Sequence, residues 1–370
     1  MMKRLLAILV VVIFAYSTRE FWVEPTRNAV ASSVESVQTW SEETTFDLSF
    51  EFFDDFLRAV LPMEDMEISE AEEAVPVEAV ELDQPKEQIF SIHNIELGDR
   101  REDVEQEAGE PERVSMNEYG QEWHAYHTDY QNFIMVFFDD EDVVRGLYTN
   151  QDLISSDIGI GYGTDQSEVR DAFEEPIDVL RKGAFSYKLN EEEAYDMFEL
   201  DDSYVTVFYD EHQDLMVTGM QIVDHGVEQS KRSLYTEPTD DMRDGFEYQL
   251  FDLTNAERVA HDLPILEWHE DVRYTARDHS ADMAENQYFS HTNLEGQSPY
   301  DRMSEDGIRF RSAGENLAMG QFSSIYAHEG LMNSKGHRDV ILREEFRHLG
   351  VGVDFGENGE PFFTEKYVRR

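Results

Sequence analysis

Four ionisable residues in the last third of the chain stand where a charge is expensive or geometrically special: His291, Glu315, Glu329 and His337. His291 closes the stretch YFSH at what reads as a helix terminus, ahead of the polar loop TNLEGQSP. Glu315 is pinned between Gly314 and Asn316 in AGENLA. Glu329 follows Ile325 by four and precedes Met332 by three, which puts it on the apolar stripe of a short helix. A carboxylate there must find a cation, a metal or hydrogen-bond donors, or else take up a proton. His337 comes directly after Ser334-Lys335-Gly336, a turn that can start a helix with its imidazole facing back into a cleft. Two neutral imidazoles can hold a divalent ion, Zn²⁺ or another divalent cation, with the carboxylates as further ligands or as acceptors for the outer ring N–H groups. His and Glu suit zinc better than calcium. The same set also allows metal-assisted hydrolysis, in which the ion acidifies a bound water and Glu315 or Glu329 takes its proton. Against hydrolysis, the sequence has no HExxH helix, no serine in a GxSxG turn and no cysteine.

The elements that would position these groups lie between about Asp240 and Arg370, a stretch of about 130 residues and large enough to fold alone. Phe246, Leu250 and Leu253 recur at helical spacing, with Asn255, Glu257 and Arg258 further along the same helix. Leu263 to Trp268 lead into a second helix, whose Val272, Ala276, His279 and Met283 form one stripe. The end reads as a hairpin: HLGVGVDF, a turn containing Asn358-Gly359, then PFFTEKYV. Helices flanking a central sheet follow from that order.

The segments NAERVAHDLPILEW, YFSHTNLEGQSPYDRM, GENLAMG, EGLMNSKGHRDVIL and LGVGVDF, in this order and spacing, resemble the CAP superfamily of cysteine-rich secretory, antigen 5 and pathogenesis-related proteins. The resemblance implies an α-β-α sandwich whose shallow cleft holds two histidines and two glutamates, matched here to His291, His337, Glu315 and Glu329. It also implies lipid, glycan or protein ligands and a helix-packing role for Asn255 and Arg258. Leu331 stands where the family usually has tryptophan, and the cysteines of its eukaryotic branches are missing. On this reading the chain is a non-catalytic binding or interaction module, with metal-dependent hydrolysis as the rival.

Upstream, residues 89–230 contain a repeat. Leu97-Gly98-Asp99, Val104 and Gly109-Glu110-Pro111 align at a constant offset with Tyr162-Gly163-Thr164, Val169 and Glu174-Glu175-Pro176, and FIMVFFD at 133–139 matches YVTVFYD at 204–210. Each half predicts a short helix ended by Glu-Pro and then aromatic strands, giving a duplicated small α+β module of two units packed on one another. It resembles the domain that precedes CAP domains in bacteria. His124 and His127, beside Trp123 and Tyr126, read as strand-packing histidines. His269, His279, His328 and His348 read as single surface histidines.

The overall class is therefore α+β, with an acidic low-complexity linker over 24–88 ahead of the module. Within it, residues 63–88 carry ten acidic side chains and one basic, a composition that repels itself and predicts an extended tether. Phe46, Phe50, Phe53, Leu57 and Val60 precede it at helical spacing. Residues 1–23 begin with Lys3 and Arg4 before the apolar run Leu5 to Tyr16, the pattern of a signal peptide or, with Phe21, Trp22 and Val23, of an N-terminal membrane anchor. Export follows, with the protein extracellular or tethered to the membrane through residues 5–23 and facing outside. The 370 residues include 81 Asp plus Glu against 30 Lys plus Arg, a net charge of −51 that disfavours nucleic acid as partner and suits a salty medium. The expected partner is an extracytoplasmic ligand.

Overall fold

The computed structural model describes residues 77–370 apart from 174, 183–184 and 190–193. The apolar run at the start, the aromatic stretch at 46–60 and most of the acidic segment lie outside the described residues. Of the expected tether, residues 83–88 are strapped to the module. The Glu96 carboxylate accepts the backbone N–H groups of Lys86, Glu87 and Gln88 at 2.7, 2.9 and 2.8 Å, and Asn94 Oδ1 accepts that of Asp83 at 2.8 Å.

The repeat is real but its halves are joined differently from the expectation. After β1 (Phe90–Ile92) and α1 (Arg101–Ala108) come β2 (Arg113–Met116), β3 (Glu122–Thr128), β4 (Gln131–Phe138), β5 (Val144–Thr149) and β6 (Ile154–Ser156). The second half gives α2 (Gln166–Ala172), the hairpin β7 (Val179–Lys182) and β8 (Phe185–Lys188), then β9 (Tyr195–Leu200), β10 (Ser203–Asp210), β11 (Met216–Asp224) and α3 (His225–Ser230). The two matching aromatic segments become β4 and β10. Instead of packing on one another, the halves share one antiparallel sheet in the order β2-β3-β4-β5-β11-β10-β9, fused where Met220 faces Thr149 and Val223 faces Gly146. Pairing β5 with β11 satisfies two strand edges that would otherwise be left bare. β1 pairs with β6 beside this sheet.

Both faces of the sheet are apolar and both are covered. Along β4, Ile134, Val136 and Phe138 join Val104 of α1 and Val169 of α2 in one core. Phe133, Met135 and Phe137 point the other way, into a core shared with Phe246, Leu250, Phe251, Ile325, Tyr326 and Leu331. This period of two is what a strand buried on both sides requires.

Those partners belong to the C-terminal half: α4 (Asp240–Ala260), β12 (Glu267–Trp268), α5 (Glu270–Asn286), α6 (Pro299–Glu305), β13 (Ser312–Met319), α7 (Ser324–Asn333), α8 (Lys335–Ile341), β14 (His348–Phe355) and β15 (Pro361–Arg369). Thr239 caps α4 by accepting the N–H of Met242, close to the expected domain start. The strands form a sheet ordered β12-β14-β15-β13. Leu349, Val351 and Val353 of β14 face the core around α4, while Gly350 and Gly352 face α5. A Cβ on Gly352 would come within 1.9 Å of the Arg277 nitrogen, so only glycine lets helix and strand approach this closely. The result is the expected α-β-α sandwich.

Helix α4 is buried on more than one face: 13 of its 21 residues are inside, where a surface helix buries a single stripe. One side packs on β14 and the other on the upstream sheet, where Arg113 pairs with Asp252 at 2.8 Å and Gln249 Nε2 donates to the Met116 carbonyl at 2.9 Å. A fragment of residues 240–370, expected to fold alone, would leave Phe251, Ile325 and Tyr326 without the cover that the upstream sheet gives them. The described residues belong to one compact unit. Calorimetry of the full chain should show this unit melting in one transition with equal calorimetric and van't Hoff enthalpies; two resolved peaks, one per half, would contradict the shared core.

Candidate functional site

Glu315 lies on β13 directly opposite Lys366 of β15. Both side chains are almost fully buried, at 2% and 0% exposure. Glu315 Oε2 accepts from Lys366 Nζ and from Arg302 Nη2 of α6, the latter at 2.9 Å. Its Oε1 lies 2.9 Å from Nδ1 of His291, which places the proton on that nitrogen and leaves Nε2 facing outward. Burial alone would raise the Glu315 carboxyl, but the His291 hydrogen bond and the Lys366 and Arg302 charges carry it down to about 2. Burial takes Lys366 down to about 8, against the pull of Glu315. Arg302 also donates to the carbonyls of His291 and Gln297, at 2.9 and 3.0 Å, so one guanidinium fixes the loop that presents His291.

His337, half-buried on α8, is held below the usual imidazole range by burial and then by the charge of neighbouring His291. Asn316 ties this helix to β13 by donating to the His337 carbonyl at 3.2 Å. The structure thus brings His291 and Glu315 into contact and His337 near enough to feel the charge of His291.

Glu329 does not join them. The α7 stripe that carries it faces the upstream sheet, where Oε1 accepts the Tyr148 hydroxyl at 2.6 Å and lies 2.8 Å from where Gly219 would carry a Cβ. Burial pushes this carboxyl up to about 7, and the charged groups that reach it are His328, Glu257 and Asp210. Of the outcomes open to a carboxylate on an apolar stripe, it has a neutral donor and a raised affinity for a proton rather than a metal. The expected set of four ligands is corrected accordingly. What the cleft offers an ion is two imidazoles and a carboxylate already holding three donors. Among the described residues, no group of three or more His, Asp or Glu side chains is arranged to hold a metal. Toward His291, Glu315 takes the second of the two roles expected of a carboxylate here, accepting the ring N–H.

Two contributors escaped the sequence reading, Arg302 and Lys366. Lys366 had a signal: with Glu365 it interrupts the apolar strand PFFTEKYV, and a charge there implies a buried partner. His328 and His279 were expected at the surface, yet each is 1% exposed. His269 caps α5 and His348 lies 3.5 Å from Glu267 at the sheet edge. His127 stacks on Tyr130 and His124 meets the Phe138 ring edge-on, the packing roles expected of them. Asn255 exchanges hydrogen bonds with the Leu266 backbone, and Arg258 donates to the carbonyls of Pro264, Ile341 and Arg343. Leu331 fills the core where tryptophan was expected, at 3% exposure.

Residues 251–367 match the model of the cysteine-rich secretory protein family, CAP, and residues 97–234 match the CAP-associated N-terminal model. A Bacillus subtilis relative named "Uncharacterized membrane protein YlbC" is 28% identical over 74% of this chain and 82% of its own length. "Uncharacterized protein YkwD" of the same organism is 38% identical over 33% of this chain and 47% of its own. A solved extracellular protein containing a SCP domain from Bacillus anthracis superposes with a TM-score of 0.65 at 25% identity, covering 80% of this chain and all of the other. A cysteine-rich secretory protein from Staphylococcus aureus shares the fold at 13% identity, with a TM-score of 0.60 over 78% of this chain and 95% of its own.

Glu329 gives the fold a pH signature. A carboxyl whose pKa is raised by folding contributes stability that is fully present below its unfolded value and lost as pH rises through the folded one, here from about 4.5 to about 7. Glu329→Gln keeps an acceptor for Tyr148 and has no proton to lose. In urea melts the variant should be more stable than the parent at pH 8 by on the order of 2–3 kcal/mol, with the gap closing at pH 5. A gap of the same size at both pH values would contradict a buried, protonated carboxyl.

Proposed function

This chain is a two-module CAP-domain protein, and from that premise we propose that it is a binding protein of the bacterial cell envelope. It acts outside the cytoplasm, and the cleft between His291 and His337 takes a ligand without transforming it. The observation that carries the reading is the state of the two carboxylates a hydrolase would need. Glu315 is held near pKa 2 by His291, Lys366 and Arg302, so it cannot take a proton from water near neutral pH. Glu329 is turned into the module interface and bonded to Tyr148. Neither can serve as general base in the cleft.

His291 is 52% exposed on its side chain and His337 half-buried, which leaves imidazole edges able to donate or accept, and the segment around His291 also exposes Phe289 and Leu294. Imidazole edges beside exposed apolar side chains suit a glycan or a protein segment, which offer polar groups and apolar faces together. The charged start and apolar run of residues 3–16 support export, as do a relative named a membrane protein and a similar structure titled extracellular. No helix among the described residues is long and apolar enough to cross a membrane, so a tether would run through residues 5–23.

The catalytic question is decided by assaying the full chain and its His291→Ala, His337→Ala double variant against peptide and ester panels, with and without added Zn²⁺. The two proteins should show the same background rate, and Zn²⁺-dependent turnover lost in the double variant would establish the hydrolase instead. For location, protease added to intact cells should degrade the protein. Protection that persists until lysis would overturn export.

A further inference from the structure

The segment MNSKGHR carries two side chains that the cleft does not use, Asn333 and Arg338, flanking the turn that presents His337. Both reach into the upstream module. Asn333, the last residue of α7, meets the end of β10 as a neighbouring strand would: its Nδ2 donates to the Tyr209 carbonyl at 2.9 Å, and its Oδ1 accepts the Glu211 N–H at 2.8 Å. A side-chain amide has the donor and the acceptor of a peptide group, so it can pair with backbone in this way. The Asn333 carbonyl lies 3.1 Å from Nε2 of His212. Arg338 Nη2 pairs with Asp210 Oδ2 at 2.9 Å, and its Nη1 donates to the Met332 carbonyl at 3.3 Å.

The turn after β10 fixes the acceptor. Asp210 Oδ1 accepts the His212 N–H at 2.7 Å, and Oδ2 accepts Gln213 Nε2 at 2.9 Å beside the guanidinium. The Asp210 and Arg338 side chains are only 5% and 13% exposed, so losing either leaves a shielded charge without its partner. Helix α8 needs a hold of this kind. It has seven residues, too few to persist alone in water, and Ser334 ahead of it makes no side-chain capping bond. Its own half holds it through Ile341 in the core and through the Asn316 bond to the His337 carbonyl. The turn that begins it is held from the upstream module.

We infer that Asn333 and Arg338 are positioning residues through which the upstream module sets the placement of His337, and with it the affinity of the cleft for its ligand. Neither bonds to His291, Glu315 or Arg302; each acts through the backbone it fixes. Arg338 follows His337 directly, and successive side chains leave a helix about 100° apart, so the module takes one and the neighbouring one is left near His291. Coupling between two sites is reciprocal, so a ligand that holds His337 also tightens the junction at Asp210. This adds a means of regulation to the binding role proposed above. It rests on that reading for the cleft being where the ligand sits, whereas the placement of His337 does not depend on it.

The test is carbethoxylation of the full chain with diethylpyrocarbonate at pH 7, read histidine by histidine from peptide masses. Arg338→Met and Asn333→Ala should speed modification of the half-buried His337 by about threefold or more, because a segment released to open locally exposes its side chains more often. His291, fixed by Glu315 and Arg302, should react at the parent's rate in both. Asp210→Asn, made in the other half of the molecule, should act on His337 in the same way. It keeps an acceptor for the His212 N–H, and it carries the test should either of the other variants fail to fold. Arg145→Met removes a different arginine–aspartate pair of the upstream module, with Asp139 at 2.8 Å, and should change neither rate, which separates placement from a general loss of stability. The inference is overturned if His337 keeps the parent's rate in Asp210→Asn, if His291 accelerates as much as His337, or if Arg145→Met has the same effect. The readout needs no ligand, so its failure would leave the binding reading to be decided by the hydrolase assay.

Discussion

One face of the seven-stranded sheet carries Trp123, Phe133, Phe137, Tyr148 and Phe208, and it has to be kept from water. Helices α4 and α7 cover it. Apolar surface of that extent is worth roughly 25 cal/mol for each Å² removed from solvent, so no hydrogen bond in the cleft competes with it in deciding how α7 is turned. Once α7 lays Ile325 and Tyr326 on the sheet, Glu329 is carried there too, one turn further along the same stripe. The upstream module is therefore part of what shapes the C-terminal half, and a spacer role for it is inconsistent with a core built from both.

The same constraint leaves the cleft to the opposite side of the sandwich. There α5 lies so close to β14 that glycines are required, and the sheet's outer edge is β13. Glu315, Lys366 and Arg302 meet on that side in a dry environment. Such a group is expensive to form and more expensive to break, because removing one partner strands the others. Its effect is positional: it fixes the His291 loop, the first turns of α6 and the strand pair in one geometry. The price is chemical, since a carboxylate neutralised by two cations and an imidazole has no basicity left to use.

Much of this was legible in the sequence. The stripe of Val272, Ala276 and Met283 is buried as its period required, the terminal hairpin forms, and the aromatic repeat marks two equivalent strands. Glu329 shows where such reading stops. Its spacing told that the residue is buried, but a stripe names the buried face of a helix without naming what covers it. The edge-to-edge fusion of the repeats escaped for a related reason, since strand pairing is made by backbone groups that every residue carries. Lys366 could have been found, because a lysine inside an apolar strand requires a carboxylate close by. Arg302 in SPYDRM had no such mark, for its burial comes from the loop folding back over α6.

The charge balance ties these points together. With 30 basic residues against 81 acidic ones, each cation drawn inside leaves the exterior more negative. Lys182, Arg258, Arg273, Arg302 and Lys366 are all buried, most of them against carboxylates or carbonyls of the core. These five cations act as internal fasteners, and the exterior is left with a larger excess of carboxylates. A surface of that kind repels polyanions over a Debye length whatever its detailed shape. Selectivity among neutral and cationic ligands then has to come from local shape and from individual exposed groups such as the His291 imidazole, because net charge alone does not distinguish them.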